Sequence, residues 1–564
     1  MCRSALTVWP CLIALLGAVA CRRSTDPIGQ EIRNVISAEK PPAYLEGVRW
    51  KLVRLIYEDR QYRPLWVGVR RVPQRTKELI ASLCHAEREG LRSADYRLGE
   101  FRRTVERLRP SLDKQRPEAF AVLDLELTRR FLEYGADLLA GRLDPKAIES
   151  GWYIRARRSS IDSTLRVAVQ AQAFHDMVAP LRPRQPEYAE LVKALAGYRE
   201  ILRRGGWPEV PGGTRLRRGD RGARVAALRR RLRITGDLGD SAERKPVYDR
   251  AVAKAVGRFQ ARHGIPSDGI VGAATLAALN VPVQMRIRQI QLNLERYRWL
   301  PTEFGPRYIY VNIPDYQLSA YDGAKPVLKM RVAVGDEYEE ATPVFADSMT
   351  FVVFRPYWYV PQRILVEEMI PSIRKKRSYL VRHNLEVVDG KRESLVLNPR
   401  RINWSRVDTT KIRVRQKPGR TNHLGLVKFM FPNQFAVYLH DTPARKLFDR
   451  PKRTLSHGCV WVEKPVELAE YVLAGQDDWN EKRIREAMET AQSAAQGGIL
   501  DGHTVTLVRP VPVYIVYLTA FVRDGVLNFR RDPYGKDREA IARLGKLTPS
   551  DHRLCEELEK LIGE

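Results

Sequence analysis

Residues 435–463 read FAVYLHDTPARKLFDRPKRTLSHGCVWVE, with one histidine, His440, on an apolar run and a second, His457, inside a Ser456-His457-Gly458-Cys459 turn. A thiol acts as a nucleophile through its thiolate, a minor species at neutral pH unless a base or a positive charge assists it. Both histidines are placed to assist. Gly458 removes a side chain where the backbone turns sharply, so the amides around Gly458 and Cys459 are expected to converge on a developing oxyanion. His440 and Cys459 are 19 positions apart, enough chain to leave one strand, cross a loop and return. Their pairing must be spatial. A lone histidine on an apolar strand is ordinarily a satisfied core residue. The Asp441-Thr442-Pro443 turn after it and the cysteine downstream make His440 the expected general base. Ser456 and His457 are expected to shape the turn and tune the thiolate.

A chain of 564 residues predicts roughly three or four domains. A hydrophobic share of 44% and no long low-complexity tract predict folded domains. The net charge of +30 implies attraction to polyanions: nucleic acid, anionic lipid or an acidic envelope polymer. Zinc-finger spacing, RNP-like aromatic motifs and a concentrated basic helix are all missing from the sequence, which argues against nucleic acid. Metal-ligand clusters, phosphate-binding glycine loops and dinucleotide signatures are missing too, so no metal and no cofactor is expected.

The start, MCRSALTVWPCLIALLGAVAC, has Arg3, an apolar stretch from Ala5 to Leu16, then Ala18-Val19-Ala20 before Cys21. It reads as a secretory signal over residues 1–20, too short for a comfortable membrane span. Ala18 and Ala20 suit an ordinary signal peptidase, while Cys21 after a small residue resembles a lipobox, which implies a lipid anchor at Cys21. Either cut predicts a periplasmic protein, and the lipobox cut predicts one held at the envelope membrane. Of six cysteines, Cys2 and Cys11 leave with the signal. Cys84, at helical spacing from Leu79, Ile80 and Leu83, reads as a core thiol. A bridge from Cys84 to Cys555 stays open, since sequence cannot supply its geometry.

Residues 21–45 read as a linker and residues 46–207 as a helical scaffold, with amphipathic stretches at 74–89, 117–140, 165–178 and 187–204. Turn residues between Gly205 and Gly213 mark a second linker. Residues 216–281 carry LRRGDRGARVAALRRRL and FQARHGIPSDGIVGAATLAAL. Apolar residues recur at helical spacing in three short segments, around Val225, Val252 and Leu276, with glycine and proline turns between them. This segment resembles the three-helix peptidoglycan-binding module of wall enzymes. A connecting helix is predicted over 286–301, and strands from Arg307 onward: RYIYVNIP, LKMRVAVG, SMTFVVFRPYW, FAVYLHD, TVTLVRP and PVYIVYLTAF. The pattern fails over about 362–422, a Lys- and Arg-rich insertion that reads as a lid or as a solvated loop.

Six stretches now point one way: TPVF at 342–345, PYWYVP at 356–361, RQKPGRTNHLG at 415–425, KFMFPN at 428–433, YLHDTP at 438–443 and SHGCVWVE at 456–463. With them, residues 307–510 resemble the YkuD-type L,D-transpeptidase domain, and the whole chain resembles the large periplasmic L,D-transpeptidases. The resemblance implies a multidomain α+β protein: helical scaffold, small three-helix module, mainly-β catalytic domain with an inserted lid, and a C-terminal strand and tail over 511–564. It implies that Cys459 attacks a peptidoglycan tetrapeptide stem, releases D-alanine and passes the acyl group to a second stem's amine. The backbone carbonyl of Asp441 would orient the His440 imidazole. Substrate contacts are expected at Tyr357, Trp358, Asn422, Gly425, Tyr438 and Trp461, and the partners are stem peptides and glycan. One departure stands out, because the family places an arginine two residues after the cysteine and this chain has Trp461. His423 also stands where a small residue is common. Two other readings keep the same residues: an L,D-carboxypeptidase or protein-detaching hydrolase in which water resolves the thioester, and an inactive wall-binding protein. A papain-like protease would carry its cysteine before its histidine, the reverse of the order here.

Overall fold

The computed structural model describes residues 26–563 except 48, 69–70, 150, 155–156, 240–245, 337–339, 477, 491–502 and 546–550. The signal segment and Cys21 lie outside the described residues. The described residues fall into two compact units, one drawn from 26–81, 98–133 and 553–563, the other from 82–97 and 134–552.

The first unit is helical. Its organising residue is Asp124, fully buried on the helix Pro117–Ala140, which accepts from the amides of Leu65 (3.0 Å), Trp66 (2.6 Å) and Val67 (3.0 Å) and from the Tyr57 hydroxyl. A buried carboxylate needs such donors; the three amides bind an otherwise irregular loop to the helix, and Tyr57 ties in the helix Trp50–Asp59. The Trp66 indole donates to Thr128 at 2.9 Å, so this tryptophan is core. A helix at Leu98–Asp113 was not among the predicted stretches. Only Leu98, Phe101 and Val105 are buried along it, and Pro110 interrupts it, so its apolar signal is thin. Cys84 is disulfide-bonded, as is Cys555, which corrects the core-thiol reading and leaves Cys459 as the free thiol among the described residues.

In the second unit the module forms as expected: helices Ala223–Ile234, Arg250–Arg262 and Ala273–Leu279 close over Val225, Leu228, Leu232, Val252, Val256 and Phe259. Gln260 ties its Asp268–Ile270 loop, donating to Asp268, Ile270 and Thr275 and accepting from the Gly269 amide. The helix predicted as a connector runs Val283–Trp299 and is buried nearly all round. Its Arg296, fully buried, pairs with Glu149 and Asp537 at 2.7 Å each, the arrangement by which an interior tolerates a charge.

The strands, in chain order, are β1 (Arg307–Asn312), β2 (Gln317–Asp322), β3 (Lys325–Gly335), β4 (Phe345–Phe354), β5 (Trp358–Tyr359), β6 (Leu385–Asp389), β7 (Val396–Leu397), β8 (Ile412–Gln416), β9 (Val427–Met430), β10 (Leu439–His440), β11 (Thr454–Ser456), β12 (Val460–Val462), β13 (His503–Val516), β14 (Ala520–Arg523) and β15 (Val526–Phe529). Nine form one sheet in the order β11-β3-β12-β10-β9-β4-β13-β1-β2, and β2 pairs back onto β3. The long β3 serves both ends, so the sheet closes on itself and its apolar face becomes the core. The strand β13 crosses the boundary expected at 510/511. Pro510 and Pro512 read as a break in sequence, yet Pro510 falls in a register shift between Thr506 and Val511, where a strand tolerates a lost amide donor, and Pro512 follows it in regular register opposite Ser348.

The insertion is neither a plain loop nor a bare flap. Its strands form a separate sheet, β5-β8-β6-β7, and the helical segments between Gln362 and Lys375 cover it. Trp358, Ile364, Ile373, Val387, Trp404 and Val414 fill a core of its own.

Candidate active site

Two short strands carry the site. β10 and β12 run parallel, Leu439 beside Val460 and His440 beside Trp461, with the Val460 amide donating to the Tyr438 carbonyl at 3.1 Å. Leu439 and Val460 are fully buried in the barrel core. Side chains alternate along a strand, so Tyr438, His440, Cys459 and Trp461 share the opposite face. The His440 ring lies 5.7 Å from that of Tyr438 and 6.2 Å from that of Trp461, centroid to centroid.

The Asp441 carbonyl is 2.6 Å from His440 Nδ1. A carbonyl only accepts, so Nδ1 carries the proton and Nε2 is left with its lone pair. Burial holds the imidazole down at about 4, helped by the charges of His423 and Lys428, so it is neutral at physiological pH. The Asp441 carboxyl faces away from this chemistry: it accepts from the amides of Leu426 (2.9 Å) and Thr442 (2.6 Å) and pairs with Arg445. Cys459 is partly buried, and desolvation pushes its thiol up to about 11 against the opposing influence of Tyr438 and the Lys428 charge. Its Sγ donates to the Ala436 carbonyl at 3.8 Å, a contact suited to the thiol form. Resting thiol and resting imidazole are both neutral.

The turn is built for one shape. Gly458 has φ +104°, a conformation that side-chain-bearing residues rarely adopt. The space there is ample, since an added Cβ meets nothing nearer than 3.7 Å, so conformation and not crowding selects glycine. Ser456 Oγ donates to the Cys459 carbonyl and closes the turn. Thr342 Oγ1 donates to the Gly458 carbonyl (2.9 Å) and accepts from the Gly335 amide (2.8 Å), locking the turn to β3. His457 points outward, its Nε2 3.5 Å from Glu340 and 3.6 Å from Glu368 of the insertion.

Three expected substrate contacts belong to the framework instead. Asn422 is 1% exposed, its amide donating to the carbonyls of Pro356, Gln416 and Lys417, which fixes the base of the insertion. Trp358 is buried in the insertion core against the His423 ring at 4.3 Å. Gly425, at φ +62°, lets the backbone pass the Asp441 carboxyl, where any Cβ would collide at 2.4 Å. Tyr438 and Trp461 lie on the reactive face, and half-buried Tyr357 lies under the Arg415 guanidinium at 4.2 Å.

Two residues that the sequence reading passed over belong to the site. Lys428, on β9, stands opposite His440 in the antiparallel register and is 8% exposed, its ammonium 6.0 Å from the centre of the Tyr438 ring. Asn433 accepts from the amides of Phe435 and Val437 and donates to the carbonyls of Phe431 and Val437, shaping the loop that sets the Ala436 carbonyl against Cys459. Both stand in KFMFPN, where a lone lysine in an apolar strand was the available signal. Among the described residues no cluster of His, Cys, Asp or Glu could hold a metal.

Residues 306–486 match the sequence model of the YkuD family, described as the L,D-transpeptidase catalytic domain. This chain carries an L,D-transpeptidase domain. Residues 221–279 match a peptidoglycan-binding domain family and residues 51–195 a scaffold domain family. A Haemophilus influenzae protein assigned by name to the L,D-transpeptidases is 34% identical over 253 residues, 45% of this chain and 48% of that one. The chain thus spans about half the length of the curated relative it matches. The L,D-transpeptidase structures from Xylanimonas cellulosilytica and Stackebrandtia nassauensis are 17% and 14% identical. The alignments cover 54% and 57% of this chain and 99% of each of theirs, with TM-scores of 0.17 and 0.22, too low to carry an argument. The L,D-transpeptidase domain places the His440 strand and the Cys459 turn inside the matched span, and the insertion as well.

Proposed function

We propose that the chain is a cysteine-dependent acyltransferase that cross-links peptidoglycan. His440 Nε2 takes the Cys459 proton as sulfur attacks the carbonyl between the third residue of a tetrapeptide stem and its D-alanine. The tetrahedral oxyanion is met by the Gly458 and Cys459 amides. As the C–N bond breaks, the imidazolium returns the proton to the departing D-alanine nitrogen and leaves a thioester. A second stem's amine, relieved of a proton by the same nitrogen, attacks the thioester and restores the thiol. Because both groups rest neutral, proton transfer accompanies attack and no standing ion pair is needed.

The observation that carries this reading is the parallel pairing of β10 with β12, which sets His440 and Cys459 on one face while the Asp441 carbonyl holds the Nδ1 proton. The charge that the family arginine would bring is absent at Trp461, and Lys428 on the neighbouring strand supplies one instead. The insertion acts as a lid whose Glu368 reaches His457 on the nucleophile's turn. The signal reading places the enzyme in the periplasm, and the mass of the mature N-terminus distinguishes a lipid-bearing Cys21 from an ordinary cut.

Product analysis tests the assignment. Wild type and Cys459→Ala are incubated with disaccharide-tetrapeptide and the muropeptides separated. A cross-linked dimer with released D-alanine, lost in the variant, is expected. Tripeptide alone would transfer the reading to a hydrolase, and no cysteine-dependent change would leave only wall binding.

A further inference from the structure

Where the three-helix module meets the barrel, a cleft of about 650 Å³ opens, away from the residues assigned to the dyad. One wall is the module turn His263–Pro266; the other is the run from Phe448 to Arg453, which ends six positions before Cys459. The module is anchored there by Arg530, whose guanidinium donates to the Arg262 carbonyl at 2.9 Å. Gly264 lets that side chain pass, since a Cβ at Gly264 would lie 2.8 Å from it.

The lining is cationic. Arg331, Arg450, Lys452, Arg453, Arg530 and Arg531 face three acids, Asp315, Asp449 and Asp532. Those acids are engaged: Asp315 with Arg523 and Arg530, Asp449 with Arg331, and Asp532 with the amides of Lys536 and Asp537. Arg453 is held in place by the carbonyls of Val332 and Tyr316 and lies over the Tyr316 ring at 5.1 Å. Arg450 and Arg531 are exposed and, among the described residues, have no ion-pair partner. Between the charges the surface is prolyl and apolar, with Ile265, Pro266, Tyr316, Phe448, Pro451 and Pro533. Such a lining offers flat faces to sugar rings and guanidinium forks to carboxylates.

We propose that this cleft is a second peptidoglycan subsite, which holds a non-reacting stem of the glycan strand by its free carboxylates on Arg450 and Arg531. The inference rests on the peptidoglycan reading of the substrate. One wall belongs to the module and the other runs directly into the nucleophile's turn, so a strand seated here bridges the two while a neighbouring stem reaches Cys459. It gives part of the +30 charge a location and a ligand.

The test uses the full chain with Cys459→Ala, to stop turnover, and soluble glycan strands bearing tripeptide stems, measured by fluorescence anisotropy at low salt. Adding R450Q and R531Q is expected to weaken binding about tenfold, the scale of one to two lost charge-assisted contacts. Amidating the stem carboxyls should weaken binding to the parent similarly and change the double variant little, while R450K with R531K, which keep the charge and lose the fork, should fall between parent and double glutamine variant. Equal binding by parent and double variant, or an equal amidation loss in both, overturns the proposal. Wild-type D-alanine release from disaccharide-tetrapeptide is assayed in parallel. Release together with unaltered binding removes the cleft alone; no release together with the predicted binding loss removes the catalytic reading alone.

Discussion

Burial sets the protonation of both groups of the candidate dyad, and the sign of each effect is testable. The folded value for His440 lies near 4, below the ordinary 6.5 or so of an unfolded histidine, so the proton favours the unfolded chain. Its contribution to stability is therefore complete above about pH 6.5 and lost as pH falls toward 4. His440→Gln should flatten that part of the Tm-versus-pH curve, while kcat/KM of the wild type should show an acid limb near pH 4. Alkylation of Cys459 by iodoacetamide should be slow at neutral pH and rise through the alkaline range as the thiolate forms. Lys428→Met removes a charge that favours thiolate, and should move the alkylation profile up by roughly 0.5–1 pH unit, with Lys428→Arg restoring it. An unmoved profile would make Lys428 a packing residue. Gly458→Ala should cost about 1–3 kcal/mol of backbone strain and lower kcat well beyond its effect on Tm. Cys459, His440 and Gly458 were legible in sequence because their chemistry is local to a turn or depends on residue type. Lys428 was not, because only the β9–β10 register brings it opposite His440.

At the scale of elements, the insertion behaves as a folded body and not as a strap. Trp358→Ala removes a large side chain from its core and should cost about 3 kcal/mol, given a typical cavity penalty. Hydrogen exchange should quicken across 362–422 while the barrel strands stay protected. Faster exchange throughout the barrel would mean that the insertion has no independent core. Its strands β6, β7 and β8 escaped the sequence reading because β7 is two residues long and the other two lie among Lys and Arg, leaving no run for a period to establish itself, while Trp358 of β5 reads as the end of the β4 run. Of the barrel strands, β1, β3, β4, β10 and β13 lie in longer apolar runs and were legible, whereas β9, β11 and β12, three or four residues long, were not, nor was β2, whose QLSAYD carries few apolar residues and lies on the sheet by pairing with β1 and β3.

At the scale of the molecule, the interior carries more charge than the sequence implied. RIRQIQLNLERYRWLP reads as a connecting helix, yet Arg296 and Arg298 along it are fully buried. Sequence assigns Arg to solvent by default; only the placement of Glu149 and Asp537, 147 and 241 positions away, makes Arg296 tolerable inside. Arg296→Met leaves those two acids unpaired and should destabilise the unit by about 3–5 kcal/mol at neutral pH, with the deficit shrinking in acid as they protonate. The module was legible because its turns and apolar spacing are contiguous, whereas its cleft with the barrel joins segments far apart in sequence. The central claim concerns one atom, the Cys459 sulfur. The most direct measurement is intact-mass and tandem mass spectrometry of wild type, His440→Ala and Cys459→Ala quenched in acid within seconds of mixing with disaccharide-tetrapeptide. The account predicts an acyl adduct of the substrate less D-alanine on Cys459 of the wild type, strongly reduced in His440→Ala and absent in Cys459→Ala. Turnover without any adduct on Cys459, or an adduct that persists in Cys459→Ala, would contradict it.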